Sequence, residues 1–483
     1  MNGVNDNIVT MTMWTPNLEA FPGPRYQALA MAIETAIQTG ELPVGAKLPP
    51  QRNLAWKLGV TVGTVSRGYM LAEQKGLLSG EVGRGTFVKP TDGFAGPSLR
   101  SEILAPAQEI ARLSTPGVIE LSRNEPSLVD YDDIMRTSLQ RLAMRGGLQN
   151  LLGYSRTLGD PAHRAAAAQW IARTGLSVTP EQVIATAGAQ QALAIVMTAM
   201  TMPNEVMLVE ALTYGGVHEN AQQRPIRLEA VAMDDEGMRP DALAEAARRT
   251  GSRLVLIQPT IHNPTTVMMT AERRAAIVAV ARKHDLTIIE DDVYGFLIRE
   301  RPLPLASLAP ERTIYITSAS KCMAPGLRVG WIAAPPVLIE RFADTLHAMA
   351  VNNPRLNQEI VRQWIEDGTA AMLVERLREE AAIRNAMAIE AFDGLTMRSH
   401  PASLHCYLEL PNPWRPNEFT NQALGQGVRI ASCTSFLLDN RPNPPPWVRI
   451  SLAPSPDRNE VADGLRRLRG LIERGPEARH AIV

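Results

Sequence analysis

The chain has 483 residues, of which 45% are hydrophobic and 20% are charged, and its formal net charge is −1. This composition excludes a disordered or fibrous protein, and the length predicts several domains because one core rarely serves so many residues. No apolar run reaches the roughly 18 residues of a membrane span, and no Lys or Arg precedes Arg25 to form the basic region of a secretory signal. We therefore expect a cytoplasmic protein without membrane contact.

The three cysteines are Cys322, Cys406 and Cys433. Their wide spacing matches neither a disulfide framework nor a Cys-x-x-Cys metal motif. Reduced thiols and no bound metal are the expectation.

Charge is distributed unevenly along the chain. Residues 21–90 contain eight Lys or Arg and four Asp or Glu, so this segment carries +4 and the remainder −5. Only the N-terminal part therefore has the sign that favours a DNA phosphate partner.

Three helices and a hairpin are predicted within this basic segment. Apolar side chains recur at helical spacing from Tyr26 to Ile37, and Gly40 ends that helix. A second helix is expected at about 51–58, and a third follows the N-cap residue Thr61. Residues 77–88 are typical of two short strands around a Gly-rich turn. The pattern predicts an α+β winged helix-turn-helix.

In such a domain the third helix can enter the major groove and present Thr64, Ser66 and Arg67 to phosphates or base edges, while Arg84 on the wing can reach a minor groove or the backbone. Spacing alone leaves a second interpretation open, in which three helices only pack together and these polar side chains are merely solvated.

Residues 40–52 (GELPVGAKLPPQR), 58–67 (LGVTVGTVSR) and 76–88 (GLLSGEVGRGTFV) closely resemble the GntR-family winged helix-turn-helix. The resemblance covers residues 22–90. Together with the docking argument it implies a set of DNA-binding residues: Arg52, Thr61, Thr64, Ser66, Arg67, Gly83, Arg84, Gly85 and Thr86. Val62 departs from the polar residue that many members have there, which favours an apolar base contact.

Turn-forming residues mark both ends of the segment 91–117, which we interpret as a linker between domains. A short piece at 103–113 is compatible with a helix, and it is alternatively the first helix of the next domain. The predicted organisation is an N-terminal arm (1–21), the winged helix-turn-helix (22–90), the linker (91–117) and a second domain (118–483).

The second domain alternates apolar runs with amphipathic segments. The runs that we interpret as strands are Val206–Glu210, Leu254–Gln258, Leu286–Asp291 and Thr313–Thr317. Short apolar runs separated by helices predict an α/β fold with a mostly parallel sheet covered on both faces. Ligands of such sheets bind at the carboxyl ends of the strands.

Lys321 follows the last of these runs, close to Ser318, Ser320 and Arg328. A lysine amine condenses with an aldehyde when desolvation or nearby cations keep part of it unprotonated. Hydroxyls and a guanidinium are suited to a phosphate. By itself, a lysine is usually a solvated surface charge.

Other polar groups that end runs or begin helices suit the same ligand. Asp291 can pair with a pyridine nitrogen, and Tyr294 and Asn263 can reach a ring hydroxyl. The amides of 188–190 precede an apolar helix and form an anion site, and Tyr214 offers a face for ring stacking. Each has an ordinary structural explanation by itself, but their joint occurrence in this order predicts pyridoxal phosphate.

This order resembles the fold-type I pyridoxal-phosphate enzymes of the aminotransferase class over residues 120–470. The resemblance implies a large subdomain at about 160–335 and a smaller C-terminal α+β subdomain at about 336–483. It makes Lys321 the catalytic lysine of the internal aldimine. The implied cofactor-binding residues are Lys321, Asp291, Asn263, Tyr294, Tyr214, Gly188, Ala189, Gln190, Ser318, Ser320, Arg328 and Tyr154.

Tyr154 matches a tyrosine that reaches the phosphate of the neighbouring subunit in that family, which implies a homodimer. Arg449 matches the arginine that holds the substrate α-carboxylate, although a surface arginine at a strand end is the alternative. The family motif Asn-Pro-Thr-Gly ends here in Thr266. Because Asn263 is retained, we expect a changed turn and an intact cofactor contact.

A GntR-type reader followed by an aminotransferase-like domain resembles the MocR subfamily over almost the whole chain. The resemblance implies a regulator that senses pyridoxal phosphate, or an amino compound through an aldimine, and changes its binding to an operator in double-stranded DNA. Two alternatives stay open: a working aminotransferase with an accessory DNA-binding domain, and a structural protein that binds pyridoxal phosphate without a DNA role.

Overall fold

The computed structural model describes residues 14–21, 23–39, 41–43, 45–74, 77–81, 85–88, 117–126, 131–438 and 443–476. It divides into two compact units, an N-terminal unit of residues 1–113 and a C-terminal unit of residues 114–483. In the described part of the chain, no helix has both the length and the apolar composition needed to cross a bilayer.

The N-terminal unit is a winged helix-turn-helix, as predicted. Its elements are a short 3-10 helix (Leu18–Ala20), α1 (Arg25–Gln38), α2 (Gln51–Leu58), α3 (Val62–Gln74), β1 (Leu78–Glu81) and β2 (Gly85–Val88). The strands pair antiparallel. Gly59 ends α2 in the left-handed conformation, with φ 63°, and Thr61 caps α3 as expected because its Oγ1 accepts from the amide of Thr64 at 3.2 Å.

One apolar core holds this unit together. Leu29 and Ile33 of α1, Leu54 of α2 and Val65 of α3 are buried in it. Tyr69 donates its phenol proton to the main-chain oxygen of Pro49 at 2.8 Å. Trp14 and Leu18, in the segment that the sequence assigned to an arm, are also buried in this core.

The C-terminal unit contains a seven-stranded sheet in the order β4-β12-β11-β10-β9-β5-β6. Its strands are β4 (Val183–Thr186), β5 (Val206–Glu210), β6 (Arg227–Val231), β9 (Leu254–Ile257), β10 (Thr287–Asp291), β11 (Thr313–Ser318) and β12 (Gly330–Ala333). Only β12 runs antiparallel to its neighbours. The mostly parallel sheet predicted from the apolar runs is confirmed.

Both faces of this sheet are buried except at its edge strand β6, which explains why the other strands are mostly continuous apolar runs. Successive residues of a strand belong to different hydrophobic clusters, one for each face of the sheet. Leu208 and Ile288 lie in one cluster, while Val209 and Ile289 lie in the other. The helices of the unit are α4 (Tyr131–Arg145), α5 (Pro161–Ala172), α6 (Ala189–Met200), α7 (Gly215–Gln222), α8 (Pro240–Thr250), α9 (Ala271–Lys283), α10 (Leu305–Leu308), α11 (Pro336–Ala350), α12 (Arg355–Glu366), α13 (Thr369–Ala391), α14 (Pro416–Gly425) and α15 (Arg458–Arg474).

A second, smaller sheet forms the C-terminal subdomain, in the order β13-β14-β17-β16. The remaining short strands are β3 (Ile119–Glu120), β7 (Met233–Asp234), β8 (Gly237–Met238), β13 (Met397–Arg398), β14 (His405–Glu409), β15 (Val428–Arg429), β16 (Ala431–Ser432) and β17 (Trp447–Ser451). Strand β3 pairs parallel with β15. Ile119 and Leu121 are buried with Val428 and Leu465, so the first described residues of this unit pack on the small subdomain.

Candidate cofactor and ligand site

The predicted cofactor residues meet at the carboxyl edge of the seven-stranded sheet. Asp291 ends β10, and Lys321 ends a 3-10 helix, Ala319–Lys321, that follows β11 directly. Gly188 lies just after β4, at the N-terminus of α6. Neighbouring parallel strands bring their carboxyl ends to one edge, so residues far apart in sequence come together there.

Lys321 is a desolvated amine. Its Nζ donates to the main-chain oxygen of Asn124. Burial lowers the pKa of Lys321 to about 8, and the positive charges of Arg449 and Arg328 lower it as well, against the opposing effects of Glu125 and Asp291. A sizeable neutral fraction near neutral pH makes this amine a suitable partner for an aldehyde.

Asp291 has one carboxylate oxygen satisfied and one free. Gln258 Nε2 donates to Oδ2 at 2.8 Å, whereas Oδ1 is buried and has no hydrogen-bond partner among the described residues. Burial raises the pKa of Asp291 to about 6, and the hydrogen bond from Gln258 lowers it. The free oxygen is suited to the N–H of a ring nitrogen.

Arg449 is buried, with 6% of its surface exposed, which rules out the alternative of a surface arginine. Its Nη1 donates to Asn263 Oδ1 at 2.9 Å, and its Nη2 donates to the main-chain oxygen of Ser122. Its Nε is buried without a partner in the described ranges, and the guanidinium lies 4.9 Å from the centre of the Phe436 ring. A carboxylate could take the place of the neutral oxygen acceptors.

Tyr294 is buried beside Arg449 and Asn263. Asn124 Nδ2 donates to its phenol oxygen at 2.7 Å and lies 2.9 Å from His405 Nδ1. The rings of Tyr294 and His405 are 6.1 Å apart, centre to centre. Tyr214, the residue before α7, is 39% exposed as a whole. Desolvation of its phenol end raises its pKa, as do the negative charges of Glu219 and Asp291.

The N-terminus of the twelve-residue helix α6 forms a close-packed cradle. Gly188 has φ 89°, and a Cβ there would lie 2.8 Å from Arg328 Nη2. That same nitrogen donates to the main-chain oxygen of Ala187 at 3.1 Å. The amide of Ser320 donates to Ser318 Oγ at 3.4 Å. A helix N-terminus with a guanidinium above it is suited to a phosphate.

Ala189 and Gln190 form the first turn of α6, with Gln190 Nε2 donating to the main-chain oxygen of Gly216 at 3.3 Å. Thr266, the departure from the family motif, has φ 62°, a conformation that glycine adopts with less strain. Asn263 still lies in the site through its contact with Arg449.

The arrangement fits pyridoxal 5′-phosphate. The desolvated amine of Lys321 suits the aldehyde, the unpaired oxygen of Asp291 suits the ring nitrogen, and the cradle at Gly188 and Arg328 suits the phosphate. Tyr154 is the exception: 86% of its surface is exposed, and it joins none of these groups within the chain.

Several residues of the site were missed by sequence reasoning. Gln258 ends an apolar run just as Asp291 does, so the rule that selected Asp291 would have found it as well. Ser122 and Asn124 follow the two-residue strand β3, which is too short to give a periodic signal. His405 begins β14 and had no signal either.

Seven of the nine predicted DNA-binding residues are among the described residues, and they lie on α2, on α3 with its N-cap residue, and on β2 of the N-terminal unit. Arg52, Thr61 and Arg67 are exposed, whereas Thr64 and Ser66 are half-buried. Gly85 and Thr86 belong to β2, and Gly83 and Arg84 lie outside the described residues. Val62 is exposed at the start of α3. The DNA contacts of these residues are predictions.

Residues 116–468 match the family described as aminotransferase class I and II, and residues 25–88 match the bacterial regulatory proteins of the gntR family. The chain is 29% identical to the uncharacterized HTH-type transcriptional regulator YdeF of Bacillus subtilis over 461 residues, covering 95% of this chain and 97% of YdeF. It is 26% identical to the probable rhizopine catabolism regulatory protein MocR of Rhizobium meliloti over 428 residues, covering 84% and 86%.

Among solved structures, the chain is similar to the α-aminoadipate aminotransferase LysN of Thermus thermophilus, complexed with N-(5′-phosphopyridoxyl)-L-leucine. The TM-score is 0.67 at 26% identity, over 76% of this chain and 96% of LysN. The fold is that of fold-type I aminotransferases, and its cofactor is pyridoxal phosphate. The chain belongs to the class I and II aminotransferase family and, with its gntR-family winged helix-turn-helix, has the domain combination of the MocR subfamily.

Proposed function

We propose that the chain is a DNA-binding transcription regulator whose C-terminal unit binds pyridoxal phosphate and, through it, an amino compound. Ligand binding changes the affinity of the N-terminal unit for an operator. The observation that carries this proposal is the presence, on one chain, of a winged helix-turn-helix and of a buried site in which Lys321, Asp291 and Arg449 meet. Binding to operator DNA would place the protein in the cytoplasm.

The residues of the site have distinct roles in this proposal. When bound, pyridoxal phosphate supplies an aldehyde that reacts with amines and a ring that withdraws electrons. Lys321 would hold the aldehyde carbon, Asp291 Oδ1 would face the ring nitrogen, and Arg328 with the amides at the start of α6 would hold the phosphate. Arg449 would take the carboxylate of an amino acid, which selects ligands that carry one.

A physical route leads from Arg449 to the start of the C-terminal unit. The amide of Ser451, two residues after Arg449 on β17, donates to the main-chain oxygen of Leu121 at 2.7 Å. The amide of Leu121 donates to the main-chain oxygen of Arg429 at 2.8 Å, which ties this segment to β15. A Cβ at Gly464 would lie 2.8 Å from Leu121 Cδ1, so the packing against α15 is tight.

A movement of β17 on carboxylate binding would therefore displace residues 119–121. These residues closely follow the predicted linker (91–117), so the displacement would be passed to the linker covalently. The ligand can shift the equilibrium only by its difference in affinity for the two states.

The test uses the full-length protein and a labelled DNA fragment from upstream of its own coding sequence. Operator affinity is measured by fluorescence anisotropy, with pyridoxal phosphate present, while amino acids are titrated. We expect a change of roughly 5- to 100-fold for an effective amino acid, and no change in a Lys321→Ala variant. An amino acid that saturates the site but leaves operator affinity unchanged would contradict the proposal.

A second candidate function is transamination, because Lys321, Asp291 and Arg449 suit the cofactor and an amino-acid substrate and because LysN is an aminotransferase. Production of a 2-oxo acid from an amino donor, with pyridoxal phosphate and a 2-oxo acid acceptor, measures it directly. Steady turnover that is lost in Lys321→Ala, without specific DNA binding, would favour the enzyme. An operator complex without turnover would favour the regulator.

We also propose a homodimer. Tyr154 is exposed within one chain, and Met144 and Leu152, which precede it closely in sequence, are 88% and 87% exposed, as is expected for side chains that a second subunit covers. Light scattering tests the assembly. If Tyr154 reaches the phosphate in the partner's site, Tyr154→Phe should weaken cofactor binding and leave the dimer intact.

A further inference from the structure

Asn124 contacts two of the predicted cofactor residues, although no sequence pattern singled it out. Its Nδ2 donates to the phenol oxygen of Tyr294 at 2.7 Å, and its main-chain oxygen accepts from Lys321 Nζ. The side chain is buried. Asn124 follows β3 and reaches a tyrosine 170 residues away in sequence.

His405 lies beside the Asn124 amide, whose Oδ1 is buried and has no hydrogen-bond partner among the described residues. Its Nδ1 lies 2.9 Å from Asn124 Nδ2, and its ring is completely buried. Burial, with the positive charge of Arg449, holds the pKa of His405 well below its ordinary value, so the imidazole is neutral. In the tautomer that carries its proton on Nε2, the neutral imidazole accepts at Nδ1. Both N–H groups of the amide are then engaged, one on Tyr294 and one on His405.

The hydrogen bond from Asn124 decides which way the phenol proton of Tyr294 points. Among the described residues, Asn124 is the one hydrogen-bond partner of its hydroxyl. Because Asn124 donates, the phenol keeps its own proton for another acceptor. A hydroxyl that receives a hydrogen bond is polarised and becomes a stronger donor.

We propose that Asn124 is a positioning residue of the cofactor site, which directs the phenol proton of Tyr294 to the ring oxygen of bound pyridoxal phosphate. The proposal depends on the placement of Tyr294 at that ring oxygen, which is itself a prediction. A hydrogen bond to the ring oxygen favours its deprotonated form. The visible absorbance of the cofactor-loaded protein should therefore change with pH at a lower midpoint than it would without Asn124.

The experiment compares pH titrations of this absorbance for the full-length protein loaded with pyridoxal phosphate and for three variants: Tyr294→Phe, Asn124→Leu and the double variant. Leucine keeps the size of asparagine but cannot donate. Tyr294→Phe should raise the midpoint, and Asn124→Leu should raise it by roughly half a pH unit to one unit. The double variant should match Tyr294→Phe alone, because Asn124 acts through the phenol.

The other charged or ionisable groups that act on Tyr294 or Lys321 remain in every variant: Asp291, Arg449, Tyr214, Glu125 and Arg328. Asn353→Leu is the matched control. Its buried amide donates to the main-chain oxygen of Ala185 at 2.9 Å and to none of the site residues, so the midpoint should not move.

The outcomes distinguish the placement of Tyr294 at the ring oxygen from the role of Asn124 in directing its proton. No shift in Tyr294→Phe would overturn the placement of Tyr294 at the ring oxygen, and the proposal with it. A shift in Tyr294→Phe with none in Asn124→Leu, or additive shifts in the double variant, would overturn the role of Asn124 alone. If Asn124→Leu lowers the melting temperature sharply, His405→Leu tests the same claim: freeing the amide should give a smaller upward shift, and no shift would count against the proposal.

Discussion

At the scale of single residues, the ionisation of Lys321 decides when the site can capture its cofactor. Burial brings the pKa of this lysine from the ordinary 10.5 to about 8. Half of the amine is then neutral at pH 8, about a tenth at pH 7 and about a hundredth at pH 6. Only the neutral amine attacks an aldehyde.

The rate of cofactor capture should therefore rise with pH up to about 8 and level off above it. A solvated lysine would show a rate that continues to rise through pH 9 and 10. Stopped-flow absorbance, after mixing the cofactor-free protein with pyridoxal phosphate at a series of pH values, measures the profile. A rate that is still rising at pH 10 would contradict the lowered pKa.

At the scale of elements, the start of α6 is predicted to bind phosphate. Gly188→Ala adds a methyl group 2.8 Å from Arg328 Nη2 at a residue with φ 89°, so the guanidinium must move and the turn is strained. Affinity for pyridoxal phosphate should fall at least about tenfold, which corresponds to about 1.4 kcal/mol. Affinity for pyridoxal, which lacks the phosphate, should change much less.

Gly475→Ala is the matched control for Gly188→Ala. Gly475 combines a positive φ of 72° with a ψ of 171°, as Gly188 combines φ 89° with ψ 167°, but a Cβ at Gly475 would have no atom within 4 Å. It should show the cost of the backbone conformation alone and leave cofactor affinity unchanged. Equal losses for pyridoxal and pyridoxal phosphate in Gly188→Ala would indicate general damage to the site.

Packing between α1 and α3 gives a second test at this scale. Gly68→Ala improves helix propensity by about 0.5–1 kcal/mol, but the new Cβ would lie 2.8 Å from Leu29 Cδ2. Overpacking of a core costs about 1–3 kcal/mol, so the variant should be less stable. Gly63→Ala on the same helix meets only Thr61 Oγ1, at 3.8 Å, and should be neutral or stabilising.

Calorimetry of thermal unfolding gives the melting temperature of the N-terminal unit for both glycine variants. The two substitutions add the same methyl group to the same helix, at exposed Gly63 in its first turn and at buried Gly68 in its interior, and they differ in what that methyl group meets. Gly68→Ala matching or exceeding the wild-type melting temperature would show that Leu29 can move aside.

At the scale of the whole molecule, the two units have separate cores. We expect two unfolding transitions in calorimetry. Pyridoxal phosphate should raise the melting temperature of one transition only, because a ligand stabilises the unit that binds it. Lys321→Ala should remove much of that increase. A single transition, raised as a whole by the cofactor, would show that the units unfold together.

Much of the fold could be predicted because its elements are governed by neighbours in sequence. Val206–Glu210 was predicted as a strand with the bounds that the structure has, and α2 likewise. The two-residue strands of the small subdomain could not be predicted, since two residues show no periodicity. The chemical character of the site was also accessible, because Lys321, Asp291 and Gly188 follow strands whose carboxyl ends share an edge.

The sequence by itself determined which residue types reach that edge, and hence which cofactor suits them. Only the tertiary structure decided their partners. Asn124 meets His405 across 281 residues, and Arg449 meets Asn263 across 186. Local patterns record interactions within a few residues, whereas such distant pairs arise only when whole elements pack, as β3 does on the small subdomain.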